Sequence, residues 1–144
     1  MKQLSTHFSL AEMTVTSTGL PNTPNAQQLA NLTFTAQAME AVRAVLGKPI
    51  RVNSGFRSAA VNRKVGGSPT SAHAKGFAVD FVCPAFGNPK AICEAIIAAG
   101  IKFDQLILEA PNSPSGGWVH LGFGPGKRQQ VLTMKNGKYT NGLS

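Results

Sequence analysis

The feature that most constrains this sequence is a carboxylate inside an apolar strand. The run Phe77–Val82 is hydrophobic and β-prone apart from Asp80, so it predicts a buried strand. Because a strand alternates its faces, Ala78 shares the face of Asp80, while Phe77, Val79 and Phe81 point the other way. Burying a carboxylate costs on the order of several kcal/mol unless a cation or hydrogen-bond donors meet it. The fold therefore has to bring such a partner to Asp80.

Two of the three histidines are placed to be that partner. His73 lies just upstream, in a loop of small and polar residues, and His120 lies in a second strand-like run, Trp118–Phe123. Two imidazoles and a carboxylate form the ligand set of a catalytic zinc site that leaves its fourth position for water. Taken singly, the three are explained as a loop histidine, a satisfied buried acid and a core aromatic. Together, in a chain with only six acidic residues, they favour one metal site, and we expect His7 to be a surface residue.

The same residues carry a resemblance to a known family. The motif Ser-x-His-x-x-Gly-x-Ala-x-Asp over Ser71–Asp80, with Ser54–Arg57 upstream and Trp118–His120 downstream, resembles the zinc D-alanyl-D-alanine carboxypeptidases. That family belongs to a wider group with lysostaphin-type enzymes and the hedgehog signalling domain, and its phage members are single-domain endolysins. The resemblance covers most of the chain. It implies one Zn²⁺ as cofactor, which would activate water against an amide carbonyl without a protein nucleophile.

The general base is the part of the family pattern that this sequence does not match. In many relatives it is a Glu three residues before the last histidine or a His two before it, positions held here by Gly117 and Trp118. Glu109 ends a strand-like run and precedes the loop that leads back to the last histidine, so we predict it as the base, with Asp104 as the weaker second choice. The other acidic residues lie on predicted helices, where solvated faces explain them: Glu12, Glu40 and Glu94.

Four further residues are expected beside the substrate. Arg57 follows a strand in a turn, and its planar guanidinium suits a carboxylate or a polarised carbonyl oxygen. The resemblance implies that it positions substrate or stabilises an oxyanion, whereas a structural salt bridge is the alternative, with few acids available as partners. Ser71 either hydrogen-bonds substrate or orders its loop. Gln105 shares a strand face with the predicted base, and Trp118 shares one with the last histidine, so both are expected to line a cleft.

Helices come first along the chain and short strands later, which is typical of an α+β fold. We expect a small antiparallel sheet that carries the zinc site, with helices packed on one side, in a single domain over residues 1–144. Predicted helices span residues 8–13, 26–46, about 58–65 and 89–99, and predicted strands span 50–52, 77–82, 103–109 and 118–123. A terminal hairpin follows, with residues 131–134 before an Asn136–Gly137 turn.

Charge and composition limit the partners and the cellular location that we expect for this protein. The net charge of +8 indicates an anionic environment, which is a nucleic acid, an anionic lipid or a cell envelope. No basic stripe interleaved with aromatic residues is present, which argues against nucleic acid. No apolar run is long enough for stable membrane insertion, and the N-terminus lacks the apolar segment of a signal peptide, so we expect synthesis in the host cytoplasm and action on the cell wall. Cys83 and Cys93 are expected to be buried free thiols.

The sequence thus predicts a monomeric zinc metallopeptidase of the endolysin type. It would hydrolyse an amide bond in peptidoglycan peptide stems or cross-links. The alternative is a catalytically inactive, metal-containing module of the same fold that binds cell walls, which the missing Glu at position 117 favours. A basic nucleic-acid-binding protein is the weaker rival. The sequence does not choose among the L-Ala–D-Glu, D-Ala–diaminopimelate and D-Ala–D-Ala bonds.

Overall fold

The helices begin and end at residues that satisfy their terminal backbone groups. A computed structural model describes residues 2–144. The long helix starts after Asn25, which forms a capping box with Gln28, and stops at Gly47 in a left-handed conformation, as the sequence predicts. The helices of the described residues are α1 Leu10–Met13, α2 Ala26–Leu46, α3 Ala59–Lys64, α4 Ala72–Lys75 and α5 Pro89–Ala98. Helix α4 was not predicted, because it has only four residues and, unlike α1, no capping box.

Six strands form one sheet in the order β1-β2-β4-β3-β5-β6. They are β1 Arg51–Ser54, β2 Ala78–Val82, β3 Gln105–Glu109, β4 Trp118–Gly122, β5 Gln130–Lys135 and β6 Lys138–Asn141. The predicted α+β class is confirmed, but the expectation of a small antiparallel sheet is wrong, since β3 and β5 are parallel.

The parallel pair follows from the path of the chain around β3. Strand β4 runs antiparallel to β3 and ends at Gly122, opposite Gln105 at the start of β3. Residues 123–129 then pass around that end of β3, and β5 begins with Gln130 on the other side of Gln105. β4 and β5 therefore flank β3 instead of pairing with each other. Local hydrophobic patterns cannot distinguish these two arrangements, because each strand has the same side-chain alternation in both.

The two faces of the sheet differ in chemistry. One face carries the apolar residues Val79 and Phe81 of β2, Leu106 and Leu108 of β3, and Val119 and Leu121 of β4, all fully buried. Helix α5 packs against β3 and β4, and α2 packs against α5. Their buried residues complete the core: Leu32, Met39 and Val42 of α2 with Ile92, Cys93 and Ile96 of α5. The other face carries the ionisable residues Asp80, Glu109 and His120 together with apolar residues such as Ile107 and Trp118.

Both cysteines lie in this core as free thiols, which confirms that prediction. Burial raises the pKa of Cys93 to about 12, so its thiol stays protonated and unreactive at neutral pH. The segment before α1 contacts α2 through Glu40. The Glu40 carboxylate accepts hydrogen bonds from Ser5 Oγ and the His7 backbone, and His7 Nδ1 lies 2.6 Å from it. Glu40 therefore holds the N-terminal segment and is not merely a solvated side chain. Within residues 2–144, no helix has the length and apolar character needed to cross a membrane.

Candidate metal centre and cleft

Two neighbouring strands and one short helix bring the three predicted ligands together. Asp80 on β2 and His120 on β4 are directly opposite each other in register, so their side chains lie on the same face of the sheet. His73 lies on α4, which is capped by Ser71, and the Ser71 side chain accepts a hydrogen bond from the His73 backbone N–H. Gly76 ends α4 with φ 88°, and the chain turns from there into β2.

The donor atoms of these residues are within bonding range of a single ion. Asp80 Oδ1 lies 3.2 Å from His73 Nε2 and 2.9 Å from His120 Nδ1. In a tetrahedral zinc site with bonds of about 2.0–2.1 Å, neighbouring donors are roughly 3.3 Å apart. All three residues are buried, and one ligand atom from each lies within 4.8 Å of the others. The cluster therefore has the dimensions of a metal site with three protein ligands.

The hydrogen bonds of His73 show that a cation belongs between these groups. Its Nδ1 lies 2.7 Å from the Gly55 carbonyl oxygen, which can only accept, so Nδ1 carries the hydrogen. In the neutral imidazole, Nε2 then presents its lone pair to the Asp80 carboxylate, and two acceptors face each other. A proton or a metal ion has to lie between them. A backbone carbonyl that fixes the tautomer of a ligating histidine is a common partner in metal sites, and the donor set of two nitrogens and one oxygen fits the single zinc ion expected from the sequence.

Asp80 is the centre of this hydrogen-bonded cluster. Burial alone would raise its pKa, but hydrogen bonding to His120 and His73 outweighs burial and holds the pKa far below its usual value. The second carboxylate oxygen, Oδ2, accepts from Arg57 at 3.3 Å, and Arg57 also donates to Ser54 Oγ at 3.0 Å. Although acids are few, Arg57 thus has an acidic partner, which is the predicted metal ligand itself. Arg57 also borders the cleft described below, beside the metal cluster.

Glu109, the predicted base, lies on the same sheet face as the metal cluster. It pairs with Trp118, two residues before His120 on β4, and only 9% of its surface is exposed. Burial raises the pKa of Glu109, the charges of His120 and Arg57 lower it, and that of Asp80 raises it, with a net rise. A carboxyl with such a pKa takes up a proton more readily than a solvated Glu, as a general base requires.

The backbone explains why the family position for this base is a glycine here. Gly117 has φ +82°, and a Cβ at this position would lie 2.7 Å from the Ala110 carbonyl oxygen and closer still to that of Glu109. Non-bonded carbon and oxygen atoms do not approach within 3.0 Å, so no side chain fits at position 117 without moving the end of β3. A carboxylate side chain can therefore lie beside the metal cluster if it comes from β3, but not if it comes from position 117.

A cleft of about 530 Å³ lies over the metal cluster. This volume is typical of sites that take small ligands and peptides. All the residues predicted to be beside the substrate border it: Arg57, Ser71, Gln105, Glu109 and Trp118. Ser71 also caps α4, and the Gln105 amide donates to Gln130, so both have a structural role as well.

Asp104, the second choice for the base, also borders the cleft, but it is paired with an arginine. It accepts from Arg128 through the backbone N–H and through two guanidinium nitrogens, at 2.9–3.0 Å. These contacts with Arg128 lower the pKa of Asp104. It also precedes the start of β3, whereas Glu109 ends that strand, about 17 Å further along. These hydrogen bonds and this distance favour Glu109 over Asp104, the second choice for the base.

Sequence reasoning did not place Tyr139, on the last strand, in the cleft, and it also missed other bordering side chains such as Thr70, Lys75 and Arg128. The hairpin was predicted, but the parallel pairing that brings it beside β3 was not. His7 lies outside the metal cluster, with a half-exposed side chain, in agreement with the surface prediction.

Comparison with known proteins agrees with the geometry. One curated relative, the zinc D-Ala-D-Ala carboxypeptidase of Streptomyces albus G, is 46% identical over 52 residues, which are 35% of this chain and 20% of that protein. The chain thus matches only a fifth of the length of this relative. Residues 6–113 match the family Peptidase M15, a range that contains His73, Asp80 and Glu109 and ends before His120. Since that match spans well over half of the sequence, the chain belongs to the peptidase M15 family.

Proposed function

We propose that this protein is a zinc peptidase that hydrolyses an amide bond in the peptide stems or cross-links of peptidoglycan. One observation carries the proposal: His73, Asp80 and His120 converge within 4.8 Å under a cleft that also contains a buried, otherwise unused carboxyl, Glu109. A zinc ion held by the three ligands would supply Lewis acidity, which makes water nucleophilic near neutral pH and polarises an amide carbonyl. Membership of the peptidase M15 family and the partial identity to a zinc D-Ala-D-Ala carboxypeptidase support this choice of metal and substrate.

Glu109 would act as the general base. Asp80 and Asp104, the other two acids of the cleft, both accept a hydrogen bond from an arginine, whereas Glu109 has no such ion pair in the described residues. In its ionised form it would take a proton from the attacking water and then donate it to the leaving amine. Its raised pKa favours the first of these transfers, the uptake of the proton from water, and its position at the strand end opposite Trp118 keeps it beside His120.

Arg57 would have two tasks. Its bond to Asp80 Oδ2 orients the carboxylate so that Oδ1 faces the two imidazoles. Arg57 also borders the cleft, where its remaining guanidinium donors would bind a carbonyl or carboxylate oxygen of the peptide. Ser71, Gln105 and Trp118 would complete the substrate contacts with a hydroxyl, an amide and an aromatic surface.

We further propose that the enzyme is an endolysin, made in the cytoplasm of a phage-infected cell and active on the wall. The +8 net charge supports this, because it favours approach to an anionic envelope. Few of its cations are neutralised: in the described residues, the acids within 4 Å of an arginine or lysine are Asp80 and Asp104 alone.

Digestion of purified sacculi tests the proposal. The zinc-loaded protein should release muropeptides, and mass spectrometry of the products identifies the bond cut. Glu109→Gln keeps the shape of the side chain but removes the base, so the rate should fall by roughly 10²–10⁴. His120→Ala should lose both metal and activity. Glu94→Gln, an exposed acid on α5, is the matched control and should digest sacculi at the wild-type rate.

Two outcomes would decide against this mechanism. Digestion by Glu109→Gln and His120→Ala at the wild-type rate would reject both the base and the metal. Wall binding by the folded, zinc-loaded protein without any product would instead support a non-catalytic wall-binding module.

A further inference from the structure

The C-terminal hairpin extends the face of the sheet that carries the metal cluster. β5 pairs with β3 and β6 pairs with β5, so the site face continues two strands beyond β3. Directly paired residues share a face, and one such row crosses the sheet at the end of β3. The row consists of Trp118, Glu109, Met134 and Tyr139, in the order of their strands.

Tyr139 is the residue through which β6 contributes to the cleft. Its ring borders the cleft together with Glu109 and Trp118, although 57% of its surface is exposed. A large aromatic side chain on an edge strand usually packs against a neighbour, but this one faces open space above the site. Burial, and then the charges of Glu109 and Asp80, raise the pKa of its phenol. The phenol therefore stays neutral near pH 7 and can donate a hydrogen bond to an acceptor oxygen of a ligand.

Strand spacing determines which part of a bound peptide Tyr139 can contact. Neighbouring strands are about 4.8 Å apart, so its Cα lies roughly 10 Å from that of Glu109 and roughly 14 Å from the β4 strand that carries His120. A tyrosine side chain covers only about half of the longer distance. Its hydroxyl therefore ends short of the metal cluster, by about the length of one or two peptide residues.

We propose that Tyr139 is a substrate-contacting residue that positions the peptide beside the scissile amide, with its ring against the chain and its hydroxyl donating to a carbonyl or carboxylate oxygen. This inference rests on the proposed peptidase function, because it names the segment of substrate that the cleft holds. It assigns the hairpin, which lies beyond the 6–113 family match, a role in substrate selection. A contact away from the reacting atoms contributes to binding in the ground state and in the transition state alike, so it lowers KM more than it raises kcat.

Steady-state kinetics on a soluble muropeptide, with the full zinc-loaded chain, tests this assignment. Tyr139→Ala should raise KM at least tenfold and change kcat by less than about threefold, and Tyr139→Phe, which keeps the ring, should raise KM by roughly threefold to fivefold. Thr140→Val is the control, since the neighbouring side chain lies on the opposite face of β6 and the change keeps its shape. Melting temperatures check that all variants are folded at the assay temperature.

Calorimetric binding of the same muropeptide separates this inference from the proposed function. The measurement uses zinc-loaded Glu109→Gln protein, with and without each Tyr139 change, so that turnover does not interfere. A rise in Kd parallel to that in KM supports the assignment. Values of KM and Kd within twofold of the parent for Tyr139→Ala would overturn it, even if the wild-type protein cleaves sacculi. If the wild-type protein cleaves nothing, the proposed function fails, and the Kd series still decides the role of Tyr139.

Discussion

Replacing Gly117 with alanine should destabilise the fold and displace the predicted base. Two effects add at this position. The φ of +82° costs an alanine about 1–2 kcal/mol, and its Cβ would collide with the carbonyl oxygens of Glu109 and Ala110 at the end of β3. Relief of such overpacking by a backbone shift costs about 1–3 kcal/mol more. We therefore expect a loss of about 2–5 kcal/mol, or a melting temperature roughly 6–20 °C lower for a chain of this length.

The preceding residue provides a matched control. Gly116 has φ +83°, almost the same backbone conformation, but a Cβ there would have no atom within 4 Å. Gly116→Ala should therefore show the conformational cost alone, about 1–2 kcal/mol. Urea unfolding followed by far-UV circular dichroism measures both losses. The difference between the two variants isolates the collision with β3.

Activity provides the second part of this test. The atoms that have to move in Gly117→Ala belong to the backbone of Glu109, so muropeptide release should fall more than in Gly116→Ala, at a temperature where both variants are folded. For the same reason, Gly117→Glu should not restore activity to Glu109→Gln. Equal unfolding free energies for the two alanine variants, or rescue by Gly117→Glu, would refute the argument that β3 supplies the base because position 117 cannot.

Three further predictions concern the metal, pH and a thiol. Asp80→Asn should weaken zinc binding at least about 100-fold in a chelator competition, whereas His7→Ala should bind zinc as the wild type does; equal affinities would contradict the proposed ligand set. Asp104→Asn should cost about 1 kcal/mol in urea unfolding at pH 7, since Arg128 is largely exposed. The pKa of Asp104 is lowered in the fold, so this contribution is present above about pH 4 and is lost as the pH falls further; a difference unchanged at pH 3 would contradict it. Cys93, buried with a pKa of about 12, should react with a maleimide only after unfolding, and rapid labelling of the native protein would disprove its burial.

Much of the candidate site was predictable because its signals are local. An acid inside an apolar strand needs a cation or hydrogen-bond donors beside it, and this requirement identified Asp80. Because the chain has only three histidines, His73 and His120 were then the candidate partners. Strand alternation placed Gln105 with Glu109, and Trp118 with His120, on shared faces that the observed register reproduces. Three features were not local and were missed or misjudged. They are the parallel pairing of β3 with β5, the ion pair of Arg57 with Asp80, and the place of Tyr139 in the cleft.

The sequence by itself determined the elements and the chemical character of each face, because capping residues and side-chain periodicity act over a few residues. The sequence also left few candidate metal ligands, since the chain has only six acids and three histidines. Only the tertiary structure decided which strands are neighbours. That choice depends on the path of residues 123–129 around β3, which places Tyr139 in the same row as Glu109. The order of the strands also depends on contacts between segments that are distant in the sequence, and local sequence patterns do not report the energies of such contacts. The assembled sheet therefore determines how far the cleft extends.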